Sequence, residues 1–508
     1  MTTAPARPGH QPPHQIADAH RADAETALEV LLDSALEPIV DMVLTRRDGR
    51  YEALAHDGRV AFRRTDRGFE VLESEGHDPL ADQATDKFSP LQAELDHKHP
   101  HRRANAYPHA YEQVAQLFDA PAAPDLCVIH SAAHNWADQG GHLGEHGSIG
   151  IVQARAPMVL AGKGVQRLGV VPKSARLVDV APTIAELLGC APRADGTYLA
   201  GQDGRVLNEA IDRSERPGHV VGFLFDGTNA NVMYDMVARG ELPNVARLID
   251  MGIAFGHGAM SSLPTVTLAN HTSILTGTHP GHHGILHNAW YDRARGEQVI
   301  TNSSATWPWC MQHLAPGVET VHDAVRRTWP DAFTASVNEP CDSGAGYSTF
   351  DFFRRGDVPP IPRSPEGLPH TTERFVRPSK DYSWSSVVDH MGVDQAVGIL
   401  SGRYRDESYP LPRFMWCNFT LTDSAMHEGG PHSEIAAASL RDSDGRLGEI
   451  LAALERAGVV DDCAFVLVAD HGMEETDPSC TGDWDVALRD AGIKFRDEGY
   501  GFLYFGVS

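Results

Sequence analysis

The sequence of 508 residues is poor in cysteine, in lysine and in long apolar runs, and each shortage excludes something. Its 7 cysteines are scattered, odd in number and free of any CxxC pair, which excludes a disulfide framework and a thiolate zinc ribbon. They read as reduced thiols in a cytoplasmic protein. No apolar run reaches the roughly 18 residues of a transmembrane helix, and the opening stretch has no apolar core of a secretory signal. A cytoplasmic location and no membrane partner are therefore expected. Lysine accounts for only 6 of the 43 basic residues, which reads as a trace of genomic base composition. The formal net charge of −26 argues against a nucleic acid duplex or an anionic surface as a partner.

What is present is an ordinary globular composition, 42% hydrophobic and 22% charged, with 27 histidines as the outlier. Residues 1–23 read as a disordered tail. Apolar residues at helical spacing follow over 24–36, and 38–75 alternates enough to predict strands with a hairpin at Asp57-Gly58. A buried strand is expected at 126–130, another near 157–161, and an amphipathic helix at 180–188. The segment DRSERPG at 212–218 is charged and ends in Pro-Gly, the best linker in the chain. Beyond it come a strong strand at 219–225, a helix at 229–239, a Thr/His/Gly-rich stretch at 262–288 and a long mixed region at 290–410. A strand at 413–420, a helix at 433–456 and a strand at 464–469 close the pattern. Alternating strands and helices predict an α/β fold with a doubly wound, mostly parallel sheet flanked by helices.

Three of these strands run into carboxylates: Asp226, Asp423 and Asp470, the last followed by His471. In an open α/β sheet the strand C-termini converge on one edge, where ligands bind. Asp423 and His427 are spaced to share a helical face and grip one ion. Carboxylate and imidazole together suit zinc, or manganese or iron, better than calcium or magnesium. Two such ions about 4 Å apart would clamp a phosphoryl group. A threonine in Pro264-Thr-Val-Thr-Leu-Ala-Asn-His271 is the candidate nucleophile, and a helix N-cap is its structural alternative.

The segments FLFDG, PTVTLANHTSILTGTHPGHHGILHN, DSAMHEGGPHS and VADHGM resemble the alkaline phosphatase superfamily. They fit best its branch of type I phosphodiesterases and nucleotide pyrophosphatases. The resemblance implies an alkaline-phosphatase-like fold and a small-molecule phosphoester substrate. It also implies two divalent metal ions, most often Zn2+, with Mn2+ or Fe as substitutes. It assigns one ion to Asp423, His427 and a further histidine, and the other to Asp226, Asp470, His471 and the Thr267 hydroxyl. Thr267 would attack phosphorus to form a covalent phospho-threonine, with Asn288 stabilising the transition state. An aromatic residue follows the nucleophile in relatives of this branch; Leu268 stands there instead and weakens base stacking. Leu268, Asn288 and His142 are the expected substrate contacts.

The family's last metal histidine lies near its C-terminus, yet no histidine follows His471. The missing piece stands at the front, in Gly144-Glu-His146-Gly-Ser followed by RAPMVLAGKGV and RLVDVAPTIAELLG. The chain thus reads as a circular permutation. Residues 1–211 correspond to the family's C-terminal part and 219–508 to its N-terminal part. The two join at 212–218 and form one catalytic domain, with 290–410 as an insert or cap. In the alternative, 1–211 is a separate domain and His146 a loop histidine. His130, His134 and His142 crowd the same segment, and His142 is the alternative to His146 as the metal ligand. His271, His279, His282, His283 and His287 are expected to pack, cap or face solvent. Other activities compatible with the scaffold are phosphonate or phosphomonoester hydrolysis, or metal and partner binding without catalysis.

Overall fold

The computed structural model describes residues 20–136, 140–357 and 380–507. Most of the tail expected to be disordered lies outside that range. Its last residues are helical instead, because they open the helix Arg21–Leu31, whose Ala24, Ala27, Leu28 and Leu31 are buried.

The centre of the molecule is an eight-stranded sheet. Its order is Tyr347–Ser348, Thr334–Val337, Phe414–Phe419, His219–Phe225, Cys463–Val468, Met158–Gly162, Gly252–Phe255, Gly169–Val171. The first five strands are mutually parallel. Met158–Gly162 runs antiparallel to both its neighbours, and the last two strands are again parallel. Strands from both sides of the 212–218 connector therefore share one sheet. The connector itself is largely exposed, with Arg213 paired to Glu186.

The apolar runs explain this position. A parallel sheet covered on both faces needs strands that are hydrophobic on both. Val221, Phe223 and Phe225 join Phe465, Leu467, Met415 and Val159 on one face, under helices Ala230–Ala238, Pro243–Asp250, Lys380–Leu400 and Glu434–Arg456. Val220, Leu224, Val466, Trp416 and Leu160 point to the other, under helices Val180–Leu188, Thr267–Thr276 and Val321–Thr328. Gly222 is required there: a Cβ at that position would stand 2.0 Å from the Trp416 ring.

A second, wholly antiparallel sheet of seven strands lies apart from the first. Its order is Phe495–Glu498, Phe502–Phe505, Leu126–His130, Val40–Arg47, Arg50–Ala55, Gly58–Thr65, Gly68–Gly76. It contains the hairpin expected at Asp57-Gly58. Within 290–410, Thr334–Val337 and Tyr347–Ser348 form the last two strands at one side of the main sheet, and the helix Lys380–Leu400 packs onto it. Residues 358–379 lie outside the described range. Among the described residues no helix is long and apolar enough to cross a membrane.

Candidate metal centre

The C-terminal ends of three adjoining parallel strands bring the carboxylates together. Asp226 follows His219–Phe225 directly, and its N–H donates to Phe419 O across the strand pair at 2.9 Å. Asp470 leaves the neighbouring strand and accepts the Gly227 N–H on Oδ1 at 2.9 Å. Asp423 sits in the first turn of helix Leu421–Gly429. Gly227 has φ +63°, and a Cβ there would lie 2.4 Å from Asp423 Oδ1, so only glycine lets this side chain approach.

Three histidines complete the cluster. His427, one turn beyond Asp423, has Nε2 3.4 Å from Asp423 Oδ1. His471 Nε2 is 3.1 Å from Asp470 Oδ2 and 3.8 Å from Asp226 Oδ1. His146 follows the short strand Gly144–Glu145, which pairs with Glu474–Glu475 just past His471. Its Nε2 lies 3.1 Å from His427 Nε2 and 3.9 Å from Asp423 Oδ1. Thr265 locks this loop to the segment before Thr267. Its hydroxyl donates to Ser148 O and accepts the Gly147 N–H, both at 2.8 Å.

Each of these rings gives its Nδ1–H to a backbone carbonyl: His146 to Thr265 O at 2.7 Å, His427 to Gly144 O at 2.8 Å, His471 to Gly472 O at 2.9 Å. The bond fixes the tautomer and turns each Nε2 lone pair into the centre. Two such lone pairs facing at 3.1 Å repel unless a cation lies between them. Asp226 Oδ1, Asp423 Oδ1, Asp470 Oδ2 and His471 Nε2 are enclosed without a hydrogen-bond partner. Buried polar atoms are rarely left so. Ligand atoms of His146, Asp423 and His427 lie within 4.8 Å of one another; so do those of Asp226, Asp423 and His471, and those of Asp226, His271 and Asp470. The first two of these sets join carboxylate to an inward-turned Nε2 and fit zinc-class ions.

The protonation pattern follows from crowding. Burial, with Asp470 and Asp423 beside it, holds the Asp226 carboxyl well above the usual range. Burial would lower His471, but Asp470, Asp423 and Asp226 outweigh it and lift the ring to about 9. Burial together with His471 and His427 keeps His146 well below its ordinary value, hence neutral. Asp470 is pushed down, as His471 and His271 overcome the opposing effect of its burial.

Thr267 opens its helix and shares a cavity wall with Asp226 and Asp423. Asn288 Oδ1 accepts the Leu268 N–H at 3.1 Å, and Asn288 lines a second cavity with His146 and His427. His142 sits beside the cluster: its Nδ1 is 3.0 Å from Glu145, and its ring lies 4.7 Å from that of His427. Leu268 lines the same cavity as Thr267, with its side chain 1% exposed and packed with Leu263, Ile285 and Leu286. The 230 Å³ cavity beside Thr267 is walled by Trp307, Phe350, Phe353 and Trp384. His271 is not the packing residue expected, because its Nε2 approaches Asp226 Oδ2 at 3.6 Å and Asp470 Oδ2 at 3.5 Å. Asn270 was missed too; its amide straps Ser262, Pro264 and Val266 beneath the helix that begins at Thr267.

The model of the type I phosphodiesterase / nucleotide pyrophosphatase family matches residues 220–508, more than half of the chain. The chain belongs to that family. Among curated proteins it is similar to alkaline phosphatase PafA of Elizabethkingia meningoseptica, 34% identical over 21% of this chain and 19% of that protein. It is also similar to ectonucleotide pyrophosphatase/phosphodiesterase family member 1 of Mus musculus, 24% identical over 53% of this chain and 26% of that one. The chain thus spans about a quarter or less of these relatives' length. Among solved structures it is similar to phosphonoacetate hydrolase from Sinorhizobium meliloti 1021, at 22% identity and a TM-score of 0.35 over 54% of this chain and 59% of that chain.

Proposed function

We propose that this chain is a two-metal hydrolase of phosphodiesters that acts through a covalent phospho-threonine at Thr267. The observation that carries the reading is that Thr267, Asp226 and Asp423 line one cavity, with the Nε2 atoms of His146, His427 and His471 turned toward those carboxylates. His146, Asp423 and His427 would hold one ion, and Asp226, Asp470, His471 and the Thr267 hydroxyl the other. Two zinc-class ions would neutralise phosphoryl charge and lower the pKa of a neighbouring hydroxyl. Thr267 Oγ bonds to phosphorus as the ester P–O bond breaks, and the leaving oxygen takes up a proton. Water then cleaves the phospho-threonine. Asn288, its Oδ1 held by Leu268 N–H, is free to direct its amide N–H at a non-bridging oxygen.

The walls favour a diester. No lysine or arginine lines either cavity among the described residues, whereas Glu145, Asp497 and Glu498 do. A monoester dianion or a phosphonate with a second carboxylate carries charge that such walls do not match. The test is a panel of bis-p-nitrophenyl phosphate, p-nitrophenyl phosphate, a phenyl phosphonate ester and phosphonoacetate, run with metal analysis. The expected result is about two zinc-class ions per chain and the fastest turnover on the diester. Full activity after chelation would overturn the mechanism, and turnover confined to the monoester would overturn the substrate class.

We infer further that the chain is circularly permuted relative to its family. The reading is supported by the family match beginning at residue 220 while Met158–Gly162 lies inside the same sheet. Gly506 also stands against His20, where a Cβ would be 2.1 Å from His20 Nε2. A chain rebuilt to run from 219 through 508 and on, through a short linker, to 20–211 should fold, load both ions and turn over diester. An insoluble or metal-free product would count against the permutation.

A further inference from the structure

Glu339 and His271 form a buried pair that the reading above leaves unused. His271 lies one helical turn beyond Thr267 and is 1% exposed; Glu339 follows the strand Thr334–Val337 and is fully buried. Glu339 Oε2 is 2.9 Å from His271 Nδ1. Its other oxygen accepts the Cys341 N–H at 2.8 Å, which anchors the carboxylate to the backbone. On the opposite side of the ring, Nε2 lies between Asp226 Oδ2 and Asp470 Oδ2.

His271 therefore differs in kind from the three ligand-type histidines. Those give Nδ1–H to neutral carbonyls and turn a lone pair inward. His271 instead has carboxylates at both ends, Glu339 at Nδ1 and Asp226 with Asp470 at Nε2. The oxygens of Asp226 are divided accordingly: Oδ1 faces His471, and Oδ2 faces His271. Asp470 is similar, with Oδ1 on the Gly227 N–H and Oδ2 toward both rings. The ring thus bridges Glu339 to both carboxylates, each by the oxygen Oδ2.

We propose that Glu339 and His271 are a positioning pair. They hold Asp226 and Asp470 in ligand orientation and tie them to the helix that begins with Thr267, while His271 itself is not a ligand. The inference rests on the proposed metal centre. Partners that orient ligands in this way are typically worth about 10- to 100-fold in metal affinity.

The test is zinc titration of metal-stripped protein against a chromophoric chelator, comparing wild type, His271→Ala, His271→Gln, Glu339→Gln and Glu339→Ala. One of the two sites should weaken about 10- to 100-fold in His271→Ala, and in the same direction in both Glu339 variants, while the other is unchanged. His271→Gln, which retains an N–H donor, should recover part of the loss. At saturating cobalt, His271→Ala should keep the wild-type visible bands and most of wild-type kcat. Shifted bands would make His271 a ligand and overturn the positioning role. Unchanged affinity at both sites would overturn the pair, as would an effect of His271→Ala with none from Glu339→Gln. Should His271→Ala not fold, as judged by its unfolding midpoint, Glu339→Gln decides alone. If wild type binds no zinc, the metal centre itself falls; if wild type binds two ions and the variants match it, only this inference falls.

Discussion

The two ligand groups of the centre differ in depth and in origin. The side chains of Asp226, Asp470 and His471 are at most 5% exposed, and all follow the connector. His146, His427 and Asp423 are 10%, 17% and 22% exposed, and His146 comes from before it. The deep group hangs on two strands in direct register, Leu224 opposite Val468, so sheet formation alone assembles it. The shallow group exists only when the 144–150 loop docks onto Thr265. Depth thus follows from how locally each group is specified.

The largest effect should come from the residue that faces both groups. Thr267→Ala removes the proposed nucleophile from a half-buried position and leaves every candidate side-chain ligand carboxylate and imidazole in place, so the protein should fold and bind metal. Its turnover of diester should fall by roughly 10⁴-fold or more, as loss of a catalytic nucleophile does elsewhere. Wild-type turnover in this variant would take Thr267 out of the mechanism.

His146→Ala separates the groups directly. It should lower bound zinc from two ions to one and abolish most activity, with a thermal midpoint near that of wild type after chelation of both. Retention of two ions would mean that the shallow group does not need the segment before the connector. It would erase the contrast drawn above.

Much of this was readable in the sequence, for a physical reason. HVVGFLF and CAFVLV are apolar on both faces, which a covered parallel strand requires, and a carboxylate after such a run falls at the sheet edge. Asp226, Asp423, His427, Asp470 and His471 were found that way. His271 was not, because it is one of several histidines between 271 and 287, and its function depends on Glu339, far along the chain. His279 and His283 look alike in sequence yet are buried away from the cluster, bonded to Ser262 Oγ and Ala269 O respectively. The strand Thr334–Val337 that delivers Glu339 is too short to show a period. The closing hairpin Phe495–Phe505 escaped for a similar reason: its partner Leu126–His130 lies at the other end of the sequence.

The smallest effect predicted is one of pH, and it tests whether depth has an electrostatic consequence. The deep group holds protons that an ion must displace. Asp226 is raised by burial and by Asp470 and Asp423, and His471 is lifted to about 9 by those carboxylates against the effect of burial. The sign follows from linkage. Groups whose folded pKa is raised favour the folded metal-free protein at low pH, and that contribution is lost as pH rises through the folded value, about 9 for His471. Ion binding requires the deprotonated forms, so affinity at the deep group should climb about tenfold per pH unit for each proton displaced, then level off above that value. His146 is already neutral at pH 7, because burial, His471 and His427 hold it low. It contributes no such slope, so the shallow ion's affinity should rise less with pH than the deep ion's. Chelator-competition titrations across this range resolve the two affinities, and proton release measured in buffers of different ionisation enthalpy checks the count. Equal slopes at the two sites would show that burial does not distinguish them electrostatically, and the deep group would then owe its character to register alone.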